Sequence, residues 1–338
     1  MGLLTNQSPV SRSRSFGSGS PSVTIDTSKF FFYSNSPETL GTEDLADNGK
    51  YLNIASVNGT GQIYTWHRNG TGTTMKNCIL VYNPNSYAVK VTVETYALTN
   101  YSYVGPDSAA WETYFRETQS TSITVAARGY GNLFLRNIAA GYTFGIIARV
   151  KITNASTGAN AGVTLYDLAY ISNSGGGTSL AEKEGDTKAR GKGAGYVVNI
   201  TFPTMSPDAG GYYGYTLGKT TDSMSGADCV PITDPEIGVA TLLAGAYGEV
   251  LKIRIPIKNS TGAARKFRIY IGSIGGAACP FAYYGGAFAR YSSTNAAGTY
   301  IDVIETDTIA NGSTSIIEFT TVVTAVASTP YIIGVRSM

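Results

Sequence analysis

One histidine, His67, and three cysteines, Cys78, Cys229 and Cys279, are the residues of this chain best suited to nucleophilic or metal chemistry. A hydrolase of the nucleophile–base kind needs a base within hydrogen-bond reach of an activated Ser or Cys, so that chemistry would rest on His67. His67 stands in YTWHRNGTG, residues 64–72. Alternation puts Tyr64 and Trp66 on one face of a strand and His67 on the other, and NGTG reads as a hairpin turn. The expectation is a partly exposed packing or hydrogen-bonding histidine that belongs to a scaffold. No G-x-S-x-G elbow supports an esterase. The cysteines form no CxxC pair, and with a single histidine they make no recognisable zinc set. The expected catalytic, metal and cofactor content is therefore none. Two uses of the cysteines stay open: small buried hydrophobes in a reducing setting, or inter-subunit disulfides in an oxidising one.

A glycosidase would need two carboxylates across a cleft. The acidic residues are instead scattered over PETLGTEDLAD and DVIETD, as on solvated strand faces. GKGAG, in residues 191–195, lacks the preceding apolar strand and following helix of a phosphate loop. The aromatic-rich loops GGYYGYTLG (210–218), with Tyr212, Tyr213 and Tyr215, and CPFAYYGGAFARY (279–291), with Tyr283 and Tyr284, remain as ligand or interface candidates. Flat rings suit both sugar stacking and low-charge contacts between subunits.

What would hold these residues is a β framework. Charged residues make up 14% of the 338, well under the quarter or so usual in soluble proteins, and 40 Gly and 24 Tyr accompany them. Such a surface repels copies of itself weakly. The net charge of +2 gives no field for nucleic acid, and no apolar run reaches the roughly 18 residues of a membrane span. From Val23 onward, short alternating or β-branched runs broken by Gly, Asn and Pro predict an all-β protein of two tandem β-sandwich domains, jelly-roll or Ig-like. The domains are expected at 23–172 and 196–338, with 173–195 a Gly-rich, charged linker or crossover. Residues 107–117 alone read as a short helix, with Trp111, Tyr114 and Phe115 on one face. KNCILVYNPNSYAVKVTVETYAL and LKIRIPIKNSTGAARKFRIYIGSI share one device: an apolar strand, an Asn turn, then an alternating basic strand. This suggests that the two halves are related.

Residues 1–22 hold seven Ser, two Arg and few apolar positions, the composition of a flexible arm. They contain no apolar core of a secretory leader. The segment that follows, SVTIDTSKFFFY, brings Val23, Ile25, Phe30, Phe31, Phe32 and Tyr33, enough apolar surface for a strand that docks on the sheet edge of a neighbouring subunit.

The stretches GTGQIYTWHRNGTGTTMKNCILVYNPNSYAVKVTV, WETYF and EVLKIRIPIKNSTGAARKFRIYIGSIGGA resemble a group of β-rich surface proteins of spore-forming Gram-positive bacteria. These accompany copper-amine-oxidase-like N-terminal (stalk) domains. The resemblance spans roughly residues 50 to 338 and rests on H-x-N-G-T-G, N-P-N-S and N-S-T-G turns. The stalk domain itself is not visible in this chain and nothing matches a copper or quinone site, so no oxidase activity is implied. What the resemblance implies is a location on the cell or spore surface, or outside the cell.

The expected function is a non-enzymatic subunit that self-assembles into a filament, appendage or layer, its partner being further copies of itself. Two other readings stay open: a carbohydrate-binding module that presents the Tyr-rich loops to surface glycans, and a phage or viral coat protein.

Overall fold

A computed structural model describes the chain apart from residues 12–16, 18, 103–106, 174–176, 183–188, 209–210, 219–225 and 292–296. The expected all-β class is observed, with strands gathered into facing pairs of sheets. A nine-stranded sheet runs in the order Thr121–Val125, Val89–Tyr101, Thr143–Asn154, Thr60–Asn69, Phe30–Ser34, Arg190–Ala194, Pro231–Thr233, Ala240–Leu242, with Thr39–Leu40 also pairing on Thr60–Asn69. Its partner is a four-stranded sheet in the order Tyr130–Ile138, Met75–Tyr82, Gly162–Tyr170, Asn53–Asn58. Strict alternation drives this pairing: Val89, Val91 and Val93 are buried while Lys90 is exposed, since successive strand side chains point to opposite faces. They meet Ile146 and Val150 of their own sheet and Ile79, Val81 and Leu165 of the facing one. Burying each such side chain contributes about 1.5–3 kcal/mol.

The second sandwich repeats the scheme. One six-stranded sheet has the order Gly2–Leu3, Thr299–Glu305, Phe267–Ser273, Tyr331–Ser337, Tyr212–Leu217, with Val10–Ser11 also on Thr299–Glu305. The other, called the groove sheet below, has the order Ala287–Arg290, Phe281–Tyr284, Thr314–Thr321, Val250–Lys258, Val197–Thr201, Ser22–Ile25. Ile269, Ile271, Val303 and Val335 of the first face Ile253, Ile255, Ile317 and Phe319 of the second within one apolar cluster.

The turn asparagines explain the sequence repeat. Asn83 and Asn259 are fully buried, and each follows the first strand of the repeated pair. Asn83 donates through Nδ2 to Tyr87 O within its turn and to Val125 O on a distant strand, while its Oδ1 accepts from the Asn85 N–H. Asn259 does the same with Ala263 O, Ile309 O and the Thr261 N–H. Asn69 makes a third copy, with Thr73 O, Ile138 O and the Thr71 N–H. One side chain thus closes a turn and ties it to another strand.

The first 25 residues behave differently from a free arm. Gly2 and Leu3 pair with Glu305 and Ile304, Val10 and Ser11 with Tyr300 and Thr299, and the Gly17 N–H donates to Gly214 O. Ser22–Ile25, with Val23 and Ile25, completes the groove sheet beside Val197–Thr201. Phe30, Phe31, Phe32 and Tyr33 lie inside the nine-stranded sheet, parallel to Thr60–Asn69 and antiparallel to Arg190–Ala194, all buried. The segment expected to seek a neighbour is therefore paired within its own chain. Unpaired edge groups are costly, and a tethered segment reaches them at an effective concentration that a separate molecule rarely matches.

The expected linker also carries structure where it is described. Arg190–Ala194 is an interior strand of the nine-stranded sheet, and the buried Arg190 guanidinium donates to Ala181 O and pairs with Glu236. This half of 173–195 is a crossover strand that joins Pro231–Thr233 and Ala240–Leu242, from the later part of the chain, to the nine-stranded sheet. Ser179–Leu180 pairs in parallel with Lys50–Tyr51.

Replacing Asn259 by Ala leaves the buried Ile309 carbonyl, the Ala263 carbonyl of the turn and the Thr261 N–H without their partner. The expected loss is roughly 2–4 kcal/mol in urea denaturation, against under about 0.5 kcal/mol for the exposed Ser260→Ala next to it. Equal losses at the two positions would refute the turn argument.

Candidate functional site

His67 is not partly exposed: it is fully buried, because Thr60–Asn69 is packed on both faces. Its Nε2 lies 3.2 Å from Ser34 Oγ and 3.0 Å from Asp167 Oδ2. Nδ1 is 2.6 Å from Pro37 O, and since that carbonyl can only accept, Nδ1 carries a proton. Asp167 Oδ1 accepts from Asn77 Nδ2 at 3.1 Å. Ser, His and Asp have come together, yet not as a nucleophile relay, in which serine and acid sit on opposite imidazole nitrogens. Here both crowd one nitrogen, and Ser34, Asn77 and Asp167 are as buried as His67. Ser34 and His67 belong to the nine-stranded sheet, Asn77 and Asp167 to the four-stranded one, so the cluster is a polar strut across the first sandwich.

The three cysteines are free and buried. Burial pushes the Cys78 thiol up to about 12 and that of Cys279 to about 11, and it raises Cys229 further. None is exposed at the surface of the chain, so the expected links between subunits would require these side chains to be uncovered. Among the described residues no group of three or more His, Cys, Asp or Glu could hold a metal ion.

The two Tyr-rich loops fall on different sheets. Tyr212, Tyr213 and Tyr215 lie on the edge strand beside Tyr331–Ser337. Tyr215 is buried against Phe202, ring centroids 5.0 Å apart, and Tyr212 packs on Tyr270 at 6.0 Å. Tyr283 and Tyr284 border a groove of 480 Å³ over the groove sheet. Its floor follows from strand register. Asn199 pairs with Lys252, Lys252 with Thr320 and Thr320 with Tyr283, so these four form one cross-strand row. Thr201, Arg254 and Glu318 form the next, with Arg254 Nε 3.0 Å from Glu318 Oε1. Sequence reasoning found the two tyrosines but missed these floor residues. Their signal was present in VVNIT, VLKIRIPIK and TSIIEFTT, where the polar positions alternate with core residues, but only register brings the three strands' polar faces together.

The helix Ser108–Arg116 fixes one wall of this region. Its aromatic face, legible at i, i+3 and i+4, enters the seam between the sandwiches: Trp111 stacks on Tyr64 at 6.2 Å and Tyr64 on Tyr33 at 5.6 Å. Phe115 stacks on Phe281 and on Tyr283, at 5.7 and 5.3 Å. Tyr283 also stacks on Phe288 at 4.8 Å, so its ring is part of the wall. Asp107, just before the helix, is buried and accepts from Trp111 Nε1 at 3.1 Å, Tyr64 Oη at 3.3 Å and, across the seam, the Ala325 N–H at 2.9 Å. Burial raises its carboxyl to about 6, against the opposing pull of those donors.

A second surface lies at the far end of the nine-stranded sheet. The last strand, Ala240–Leu242, is exposed at every residue, and Ile237, Val239 and Leu242 are 58%, 56% and 43% exposed. Beside it, Ile54 and Ser56 on the end strand of the four-stranded sheet overhang Lys192, Ala194, Thr233 and Pro235, which leaves a groove of 540 Å³. Lys192 Nζ donates to Ser56 O there.

No protein-family model matches the chain, and no curated protein matches it. Among solved structures, the CUB1-EGF-CUB2 domain of human MASP-1/3 aligns at 10% identity and a TM-score of 0.18, covering 84% of this chain and 99% of that one. Tandem CBM51 modules of the family 98 glycoside hydrolase from Streptococcus pneumoniae SP3-BS71 align at 11% identity and 0.16, covering 80% of each. Oxalate decarboxylase of Bacillus subtilis aligns at 11% identity and 0.12, covering 95% and 78%. Overlaps this slight assign neither a fold family nor a function. Among the described residues no helix is long and apolar enough to cross a membrane.

The buried carboxylates set the pH dependence of stability. Burial also raises Asp228, Glu249 and Asp44. A carboxyl whose folded value lies above its unfolded one stabilises fully below the unfolded value, and that contribution fades as pH climbs through the folded value; for Asp107 it amounts to roughly 2–3 kcal/mol. Asp26, held to about 2 by Lys29 and Ser28, and Glu305, lowered by Lys266 and Arg268, act in the opposite sense, losing their contribution only as pH falls below about 4. The thermal midpoint is therefore expected to be higher at about pH 5 than at about pH 7. A midpoint that is flat or rising over that interval contradicts the buried-acid assignment.

Proposed function

We propose that this protein is a non-enzymatic structural subunit that associates with further copies of itself into a surface filament, appendage or layer. The single observation that carries the reading is the strand Ala240–Leu242, whose outer edge pairs with no other strand among the described residues, with apolar side chains exposed around it. Proteins that remain apart blunt such edges with charge, proline or a covering loop. Here residues 237–245, IGVATLLAG, hold no charged residue and no proline. The occupant proposed is a second copy, because one molecule supplies both needs at once: a strand with unspent N–H and C=O groups, and apolar side chains for the groove beside Ile54 and Ala194. A 14% charged surface opposes such contact weakly. The sealed state of His67 and the three cysteines favours a structural role over a catalytic one. The sequence resemblance favours the cell or spore surface as the location, and the shape of the assembly distinguishes an appendage from a coat or capsid.

The test is electron microscopy and light scattering of the purified chain beside Val239→Lys and Leu242→Lys. Wild type is expected to form regular assemblies. Each variant is expected to be monomeric, with stability within about 0.5 kcal/mol of wild type, since neither side chain packs in the core. Wild type that stays monomeric at every concentration, or variants that assemble like wild type, would overturn the proposal.

A further inference from the structure

Most charged side chains of the second sandwich are already satisfied by one another. On its other sheet, Arg268 and Arg336 both engage Asp302, and Lys266 and Arg268 both engage Glu305. At the wall of the groove, Arg116 and Arg290 share Glu112. Such networks have little left to offer a ligand. The floor of the groove is different. Lys252 and Asn199 are exposed, Thr201 and Thr320 half-buried, and among the described residues none of the four makes a side-chain hydrogen bond or ion pair. Arg254 is held by Glu318 through Nε alone, so the terminal amino groups of its guanidinium stay available, as does the second oxygen of Glu318.

From this we infer that the groove over Val197–Thr201, Val250–Lys258 and Thr314–Thr321 is a binding site for an acidic oligosaccharide. Three features select that chemistry. The floor presents short hydroxyl and amide groups in two cross-strand rows, a spacing that suits the hydroxyls of linked sugars better than the widely spaced polar groups of an apolar peptide. Among the described residues Lys252 has no counter-ion, and it stands beside Asn199 and Thr320 in one row, where a carboxylate or sulfate would gain a charge-assisted hydrogen bond. Arg254 and Glu318, joined side by side, offer donors and an acceptor together, which matches vicinal hydroxyls.

The aromatic component is Tyr284 rather than Tyr283. Tyr283 is stacked on Phe115 and Phe288, so it fixes the wall's position and leaves Tyr284, at the turn before Gly285, as the half-buried ring on the rim. The volume of 480 Å³ falls in the range of small-ligand sites, which runs from roughly 300 to 1,000 Å³. The groove lies on the second sandwich, away from the strand Ala240–Leu242 that closes the nine-stranded sheet. Sugar binding and self-association therefore use separate surfaces.

The experiment is a titration, followed by isothermal calorimetry and by amide chemical shifts, with four probes: oligogalacturonate, sialyllactose, a sulfated chondroitin tetrasaccharide and the neutral N-acetylchitotriose. It is run on the full chain carrying Leu242→Lys, and on that chain with Lys252→Met or Asn199→Ala. At least one acidic probe is expected to bind, with shifts centred on Asn199, Lys252 and Thr320. Lys252→Met is expected to weaken that binding roughly tenfold or more while leaving the thermal midpoint in place, because the side chain is exposed. Raising the salt should weaken the Leu242→Lys parent more than its Lys252→Met derivative. Lys90→Met, at an exposed position of the first sandwich, serves as a control and should bind as the parent does. Failure of all three acidic probes, tighter binding of N-acetylchitotriose, or equal affinity in Lys252→Met would each overturn the inference.

Discussion

The relation between the two sandwiches depends on a buried carboxylate at their seam. Asp107 binds two aromatic side chains of the first sandwich and a backbone N–H of the second, and no apolar residue of similar size could satisfy all three donors. Around it the apolar cluster runs without a break from Phe31, Tyr33, Tyr64 and Trp111 into Val198, Leu251 and Tyr331. Gln62 reinforces the tie by donating to Gly248 O and accepting from Tyr114 Oη. Removing a partner from such a buried network costs more than the network gains over an apolar seam, so it specifies a geometry more than it adds stability. The helix that follows Asp107 then has one place to go, and its Phe115 sets the wall beside Tyr283.

The sandwiches treat their edges in opposite ways. On the second, residues 1–25 contribute to three edges, beside Thr299–Glu305, Tyr212–Leu217 and Val197–Thr201. On the first, the nine-stranded sheet ends at Ala240–Leu242 with no strand across from it among the described residues. The edges met by residues 1–25 are finished by the chain itself, whereas the edge at Ala240–Leu242 keeps the requirements of an incomplete sheet.

Much of this was legible in the sequence. Alternation identified the β class, the i, i+3, i+4 aromatics identified the one helix, and the Asn-containing turns identified the internal repeat. What sequence could not reveal was pairing. Val23 and Ile25 look like a strand, but their composition does not say whose edge they join. Gly191 and Gly193 read as linker because glycine lacks β propensity. Pairing on both sides places them within a strand, and glycine is required there because a side chain at Gly191 would meet Thr233 O and one at Gly193 would meet Val230 and Ile232. His67 looked half exposed because alternation assumes one wet face, and a strand covered on both sides breaks that assumption. The groove floor escaped for the same reason that it exists: its residues come from three strands far apart in the chain.

The burial of the three thiols reaches beyond the fold. With Cys78, Cys229 and Cys279 buried and their thiols raised by burial, the fold does not depend on a disulfide and suits a reducing setting as well as an oxidising one. An association between copies that leaves these thiols buried would hold without a covalent link, and its extent would follow the law of mass action: dilution would shorten it, crowding at a surface would lengthen it, and both changes would be reversible.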